Sequence, residues 1–132
     1  MSKKAPKKKQ KAYLWGQGAE WLCMLMLTLK GYRILAHRFK CKSGEIDLIA
    51  QKGNMICFVE VKARQTINDA LSAVSTQQKK RIIKAAEWYL AKNSQAFGGE
   101  NANNSYRFDM MAVEPWAWPT HVKDAWQMDV IK

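Results

Sequence analysis

The sequence predicts an α/β (α+β) fold: a mixed central sheet of about four strands flanked by helices, in the order α-β-β-β-α-β. Apolar residues between Leu14 and Leu29 recur at helical spacing. The segments 45–51 and 55–63 read as strands joined by a tight Gly-Asn turn. Ser75 and Gln78 then stand at the spacing that opens a second helix.

The chain has 132 residues, enough for one hydrophobic core and too few for a second domain. Hydrophobic residues make up 48% and aromatics 11%, which excludes a disordered chain. Residues 1–12 read as a basic, disordered tail and residues 13–132 as the folded domain. The net charge is +11, and Lys3, Lys4, Lys7, Lys8, Lys9 and Lys11 hold just over half of that excess. A field of this sign attracts polyanions, with nucleic acid the first candidate and an anionic membrane surface the second. The tail itself reads equally well as a solvated segment or as a nucleic-acid-binding arm.

The first helix is expected from Tyr13 to Lys30, with Gly31 as its stop. Its apolar run Trp21–Leu29 is too short to cross a bilayer and lacks a small-x-small cleavage pattern, so it reads as a buried helix. Cys23, Cys41 and Cys57 show no CxxC pair and no zinc spacing. They read as reduced thiols of a cytoplasmic protein with no membrane association.

Tyr32–Phe39 reads as the first strand. In the second, Ile46, Leu48 and Ala50 are expected on one face and Glu45, Asp47 and Ile49 on the other. The third, Met55–Ala63, is apolar on both faces near its start, as in a strand covered on both sides. Ile82, Ala86 and Tyr89 give the later helix one apolar stripe. The Gly-, Asn- and Ser-rich stretch 95–105 is a loop, and Tyr106–Val113 the fourth strand. Residues 122–130 carry a further short element of undetermined type.

The turn fixes a register with chemical content. With Gly53-Asn54 as the loop, Lys52 faces Met55, Asp47 faces Glu60, and Glu45 faces Lys62. Opposed side chains sit about 4.5–5.5 Å apart at Cβ. Two carboxylates that close need a shared proton, a basic neighbour or a cation. Asp47 and Glu60 suit Mg²⁺, with Mn²⁺ as the alternative; the Val61 carbonyl can add a third oxygen. Lys62 on the same face can orient a water or stabilise charge on a phosphoryl group. The plain reading is an alternating charged face with a Glu45–Lys62 ion pair.

These residues also carry a resemblance. Gly44-Glu45-Ile46-Asp47-Leu48-Ile49-Ala50 and Phe58-Val59-Glu60-Val61-Lys62-Ala63-Arg64 closely resemble the YraN family, as do Gly16-x-Gly-x-Glu20, Arg38 and Arg107-Phe108-Asp109. The family is predicted to be endonuclease-like and related to archaeal Holliday-junction resolvases. The resemblance covers nearly all of the chain after the tail and implies a restriction-endonuclease-like fold. It implies Asp47 and Glu60 as metal ligands and Lys62 as the catalytic lysine, with Glu20 reaching in from the first helix and Glu45 as an auxiliary acid. His37 stands where the family often has Asn. The lysine-rich tail and the Trp116/Trp118 segment are particular to this chain.

Related nucleases carry a helical glutamine near the site, so Gln78 has two open readings, a contact to the scissile phosphate or water and a simple helix cap. Arg38, Arg64, Lys79, Lys80 and Lys84 are the expected nucleic-acid contacts, Lys79, Lys80 and Lys84 sharing one helix with Arg81. Arg107 and Asp109 read as structural, and His121 receives no role. Most tryptophans are expected in the core, although an exposed Trp116 or Trp118 could stack on unpaired bases. The expected function is metal-dependent hydrolysis of phosphodiester bonds in DNA, branched or structured DNA included. The alternatives are a nucleic-acid-binding scaffold with little catalysis and an accessory protein that docks on a partner through its tail. A homodimer would match the junction resolvases, but no self-complementary surface is legible in the sequence.

Overall fold

The computed structural model describes residues 8–99 and 103–127. The helices are α1 (Lys8–Leu29), α2 (Ile67–Ser72) and α3 (Thr76–Lys92). The strands are β1 (Arg33–Cys41), β2 (Gly44–Lys52), β3 (Met55–Ala63), β4 (Ser105–Val113) and β5 (Thr120–Trp126). They form one sheet in sequence order, β1-β2-β3-β4-β5. All neighbours are antiparallel except β3 and β4, which pair in parallel. A parallel pair needs a crossover, and α2 and α3 supply it.

Each face of the sheet is covered by a helix. Ile56 and Phe58 of β3 pack with Ile82, Ala86 and Tyr89 of α3. Their alternates Cys57, Val59 and Val61 pack with Ala19, Cys23 and Leu27 of α1. That two-sided burial is why β3 reads as a continuous apolar run. Each such side chain contributes about 1.5–3 kcal/mol on leaving water.

The helix ends follow from local chemistry. At the end of α1, Gly31 takes φ +93, Tyr32 N–H donates to the Leu27 carbonyl at 2.9 Å and Gly31 N–H to Thr28 at 3.0 Å. This paired pattern needs a left-handed residue, which glycine supplies without a Cβ clash. At the start of α3, Ser75 Oγ accepts from Gln78 N–H at 3.1 Å. Thr66 does the same for Asp69 N–H at the start of α2. At Gly44 a Cβ would lie 2.9 Å from the Arg81 carbonyl oxygen, so this residue lets α3 approach the start of β2.

Four features differ from the sequence pattern. Helix α1 begins at Lys8, so residues 8–12, expected in the tail, continue the helix; residues 1–7 lie outside the described residues. Lysine, glutamine and alanine are good helix formers, and nothing in that stretch stops the helix. The six-residue α2 is too short to show a period. The undetermined element past Pro119 is a fifth strand, whose one-sided pattern is interrupted by Asp124 at φ +54. Finally, Ile46 does not share a face with Leu48 and Ala50. It joins the α3 cluster while they join the α1 cluster, so the alternation slips at Asp47. Arg38, across from that slip in β1, takes φ +56.

Strand β5 is fastened by one buried carboxylate. Asp109 of β4 is fully buried. It accepts from Arg107 Nε at 2.7 Å and Nη2 at 2.8 Å, from His121 Nε2 at 2.7 Å and from Asp124 N–H at 2.9 Å. Arg107 also donates to Tyr32 Oη at 2.9 Å, which ties the cluster to the end of α1. Arg107 and Asp109 are therefore structural, and His121 gains the role that the sequence left blank. Burial alone would raise the Asp109 pKa, but the hydrogen bonds from His121, Arg107 and Asp124 hold it below its ordinary value.

Asp109→Ala should cost about 3–5 kcal/mol in urea unfolding, because it strands Arg107 without its partner. A lowered folded pKa means stability that is present above the ordinary carboxylate range and lost as pH falls through the folded value. The wild type should therefore lose more stability than Asp109→Ala on acidification below about pH 4. Parallel curves would rule out a special role for this carboxylate.

Candidate active site

The β2–β3 ladder runs in the register that the turn predicts, from Lys52↔Met55 through Ile49↔Phe58 to Leu48↔Val59. Beyond Leu48 the pairing stops, and Asp47 fills the gap with its side chain. Its Oδ2 accepts the Val61 N–H at 2.8 Å. A strand residue's N–H and C=O point to the same edge, so the Val61 carbonyl also faces the Asp47 side.

Glu60 lies beside this gap, only 5% exposed. Lys62 Nζ stands 3.6 Å from its Oε1 on the same face of β3. Gln78 Nε2 of α3 donates to Oε1 at 3.4 Å. Ser75 Oγ caps the Gln78 N–H, and the Gln78 side chain reaches the Glu60 carboxylate rather than turning back to close the capping box. Burial first, then the hydrogen bond and charge of Asp47, push the Glu60 pKa up to about 9, with Lys62 pulling the other way. Burial and the neighbouring Asp47 thus favour the protonated form of Glu60.

These side chains line a cavity of about 500 Å³ open between α1 and α3. Glu20, Glu45 and Arg64 border it too, with Trp15 and Gln65, which the sequence did not single out. Glu20 is not free to turn inward. Its Oε1 lies 3.1 Å from His37 Nε2 and 3.3 Å from Arg38 Nε, and its Oε2 3.2 Å from Arg38 Nη2. Arg38, expected on nucleic acid, is engaged there instead. Glu45 is exposed and faces Lys40 at 3.9 Å, not Lys62 as the plain ion-pair reading had it. Arg64 donates to the Ala63 carbonyl at 2.8 Å at the cavity rim.

The basic residues of α3 divide. Lys79 Nζ sits 5.8 Å from the centre of the Trp126 ring, away from the cavity. Lys80 and Lys84 are exposed on the outer face. Arg81, one helical turn after Gln78, lines a second hollow of about 390 Å³ together with Glu45, Asp47, Glu60 and Gln78. Within the basic cluster of this helix, Arg81 is the member nearest the acidic residues, and its i+3 spacing from Gln78 was the available signal.

Among the described residues no group of three or more His, Cys, Asp or Glu side chains is gathered as a metal cage. The site offers two carboxylates and a main-chain edge. That donor set fits Mg²⁺, which keeps several waters and takes one or two carboxylates, and does not fit a closed zinc site. A buried acid whose pKa is raised by burial and by a neighbouring carboxylate is the local environment that a divalent cation would relieve. Cys23 and Cys57 are buried, and burial first of all pushes both thiols up to about 12, so neither is a nucleophile.

Residues 19–113 match the model of a family described as "Uncharacterised protein family UPF0102". A UPF0102 protein of Mesorhizobium japonicum is 44% identical over 125 residues, 95% of this chain and 96% of the relative. One of Chelativorans sp. is 46% identical over 124 residues, 94% and 96% of the two chains. Another, of Bartonella tribocorum, is 46% identical over 123 residues, 92% and 91%. The matched span contains every residue of the acidic cavity from Glu20 onward and ends before Trp116.

Replacing Glu60 with glutamine keeps the shape and removes the proton question. In chelator at pH 7, Glu60→Gln should unfold within about 1 kcal/mol of the wild type, as an isosteric exchange that keeps a donor. A raised folded pKa is stabilising below the unfolded value and loses that contribution as pH rises through the folded one. The variant should thus become the more stable of the two as pH approaches 9. A large loss at pH 7 would mean that Lys62 holds Glu60 as an anion.

Proposed function

The chain belongs to the UPF0102 family, the YraN family of its sequence resemblance, and we propose that it is a metal-dependent nuclease hydrolysing phosphodiester bonds in DNA, branched or otherwise structured DNA included. The observation that carries this reading is the Asp47–Glu60 pair, two acids held together in a cavity with Lys62 beside them. Sheets avoid opposed like charges, so a pair kept in a concave, half-buried place points to a ligand of opposite sign.

Asp47 and Glu60, with the Val61 carbonyl, would hold Mg²⁺ or Mn²⁺. The bound ion would supply a hydroxide near neutral pH and stabilise negative charge on the phosphoryl group. The rest is work for the chain's own groups. The Val61 N–H keeps Asp47 turned into the gap. Glu60, whose pKa is raised, would give up its proton to water on holding the cation. Lys62 Nζ positions a water and offsets charge on the phosphate oxygens. Gln78 fixes Glu60, and the N-terminal turn that carries it favours an anion in front of it. Arg64 and Arg81 flank the cavity at two rims, as backbone phosphates would require. The net charge of +11 draws the polyanion in.

One observation favours a second reading, a scaffold that holds nucleic acid with little catalysis for a partner protein. Glu20 is bound by His37 and Arg38, and among the described residues no third acidic side chain joins Asp47 and Glu60 as a metal cage. The two readings separate in a cleavage assay on duplex, single-stranded, flapped and four-way-junction DNA with matching RNA. With Mg²⁺ or Mn²⁺ the wild type should cut at least one substrate, and chelator should stop it. Asp47→Asn and Lys62→Ala should each reduce the rate by about 10²-fold or more with the fold retained. Binding without cleavage across the panel would support the scaffold; undiminished cleavage by both variants would sink the mechanism.

A further inference from the structure

A second groove adjoins the acidic cavity and has a different chemistry. It holds about 370 Å³ and is walled by Trp15, Trp116 and Trp118, with Gly18 and Glu114 at its surface. Trp15 lines both hollows, so they share a wall. We infer that this groove is a stacking site for unpaired nucleobases of a strand whose backbone crosses the acidic cavity. This rests on the nucleic-acid reading of that cavity and names the part of the substrate it would recognise.

Four observations carry the inference. First, the tryptophans are presented outward. Trp116 is 103% exposed and Trp118 60%. Both stand in the segment between Pro115 and Pro119 that joins β4 to β5, and Trp116 takes φ +60, which a bulky residue rarely adopts. Proline restricts the backbone of that segment and so limits where the two rings can stand. Second, no lysine or arginine lines the groove, while Glu114 does. A phosphate would be repelled there. A base suits it: each has a π-face for the rings, and its N–H groups can donate to a carboxylate. Third, Gly18 lies inside α1, and a Cβ built on it meets nothing within 4 Å. Glycine is a poor helix former and packing does not demand it here. Its gain is the open floor between Trp15 and Trp118. Fourth, the phosphate-seeking groups Arg64 and Lys62 lie on the far side of Trp15, in the acidic cavity. The two hollows thus separate base from backbone along one path. Bases in a duplex are already stacked and paired, so the groove selects unpaired nucleotides, as at a flap, a junction or a single strand.

The test is binding in chelator, where cleavage does not interfere. Probes are a short oligothymidylate, an abasic strand of the same length and a duplex of equal length. The oligothymidylate should quench the protein's tryptophan fluorescence. Trp116→Ala and Trp118→Ala should each weaken it by roughly tenfold or more. Trp116→Phe should recover most of the affinity, since a ring remains. Gly18→Leu, which removes no aromatic group and suits a helix, should weaken it similarly by filling the floor. Duplex affinity should stay within about twofold in all four variants, and the abasic strand should bind the wild type as weakly as oligothymidylate binds the alanine variants. Equal binding of abasic and intact strands, or equal losses on duplex and single strand, would overturn the inference. So would absence of nucleic-acid binding. Asp47-dependent cleavage with base-independent binding overturns this inference alone. Base-dependent binding with no cleavage leaves it standing and removes the nuclease.

Discussion

The constraint on which the site depends is the meeting of two carboxylates where two strands part. The turn at Gly53-Asn54 sets the register of the hairpin and so brings Asp47 and Glu60 to the same end of it. The ladder ends one residue before them, at Leu48↔Val59. Asp47 then takes over the main-chain hydrogen bond that a strand partner would have made, by accepting from Val61. A local irregularity in β2 thus becomes a fixed orientation of a carboxylate, and the alternation of the strand slips at the same place. Two like charges in a half-buried place repel, and burial with Asp47 alongside raises the Glu60 pKa against the pull of Lys62.

The rest of the fold holds that pair from three directions. Helix α3 approaches β2 closely because Gly44 leaves room for the Arg81 main chain, and that approach brings Gln78 onto Glu60. Helix α1 lies under the opposite face, with Cys23 near enough to feel the charges of Asp47 and Glu20. The buried Asp109 cluster ties β4, β5 and the end of α1 together through Tyr32. One carboxylate in this protein is satisfied by four hydrogen bonds and is structural. The other is flanked by an acid and carries its proton. The difference in partners explains their opposite pKa directions.

Much of this was legible in the sequence, for identifiable reasons. Periodicity and a strong turn signal located α3 and the β2–β3 hairpin; α1 was found as a helix, but its buried face is Ala19, Cys23 and Leu27, while Trp21, Leu25 and Leu29 of the expected stripe are exposed. What could not be read were features that depend on contacts remote in sequence. The pairing of His121 with Asp109 spans β4 and β5, and Glu20 reaches His37 and Arg38 across the sheet face. Strand β5 has too short and broken a pattern to declare its type, and Asp109 fastens it from outside. Ile46 was placed on the wrong face because strict alternation assumes an unbroken ladder, and the ladder breaks beside it.

An acidic centre in a chain of net charge +11 is not a contradiction, because the two act over different ranges. Exposed lysines and arginines set a field that reaches about a Debye length, roughly 8 Å at physiological salt, and bring a polyanion to the surface. Within the cavity the Asp47–Glu60 pair, if ionised and bare, would repel the phosphate so delivered. The raised pKa of Glu60 lowers that local charge, and the proposed divalent cation would reverse its sign. On that proposal the cavity would be weakly repulsive or attractive to phosphate, with the cation deciding which. The groove beside it carries Glu114 and no lysine or arginine, and so has no comparable switch. Contacts made there through stacked rings would be nearly indifferent to metal, whereas those made in the cavity would depend on it. On the proposed nuclease reading, affinity for a strand and commitment of its phosphate would be separable properties of two adjoining hollows that share Trp15.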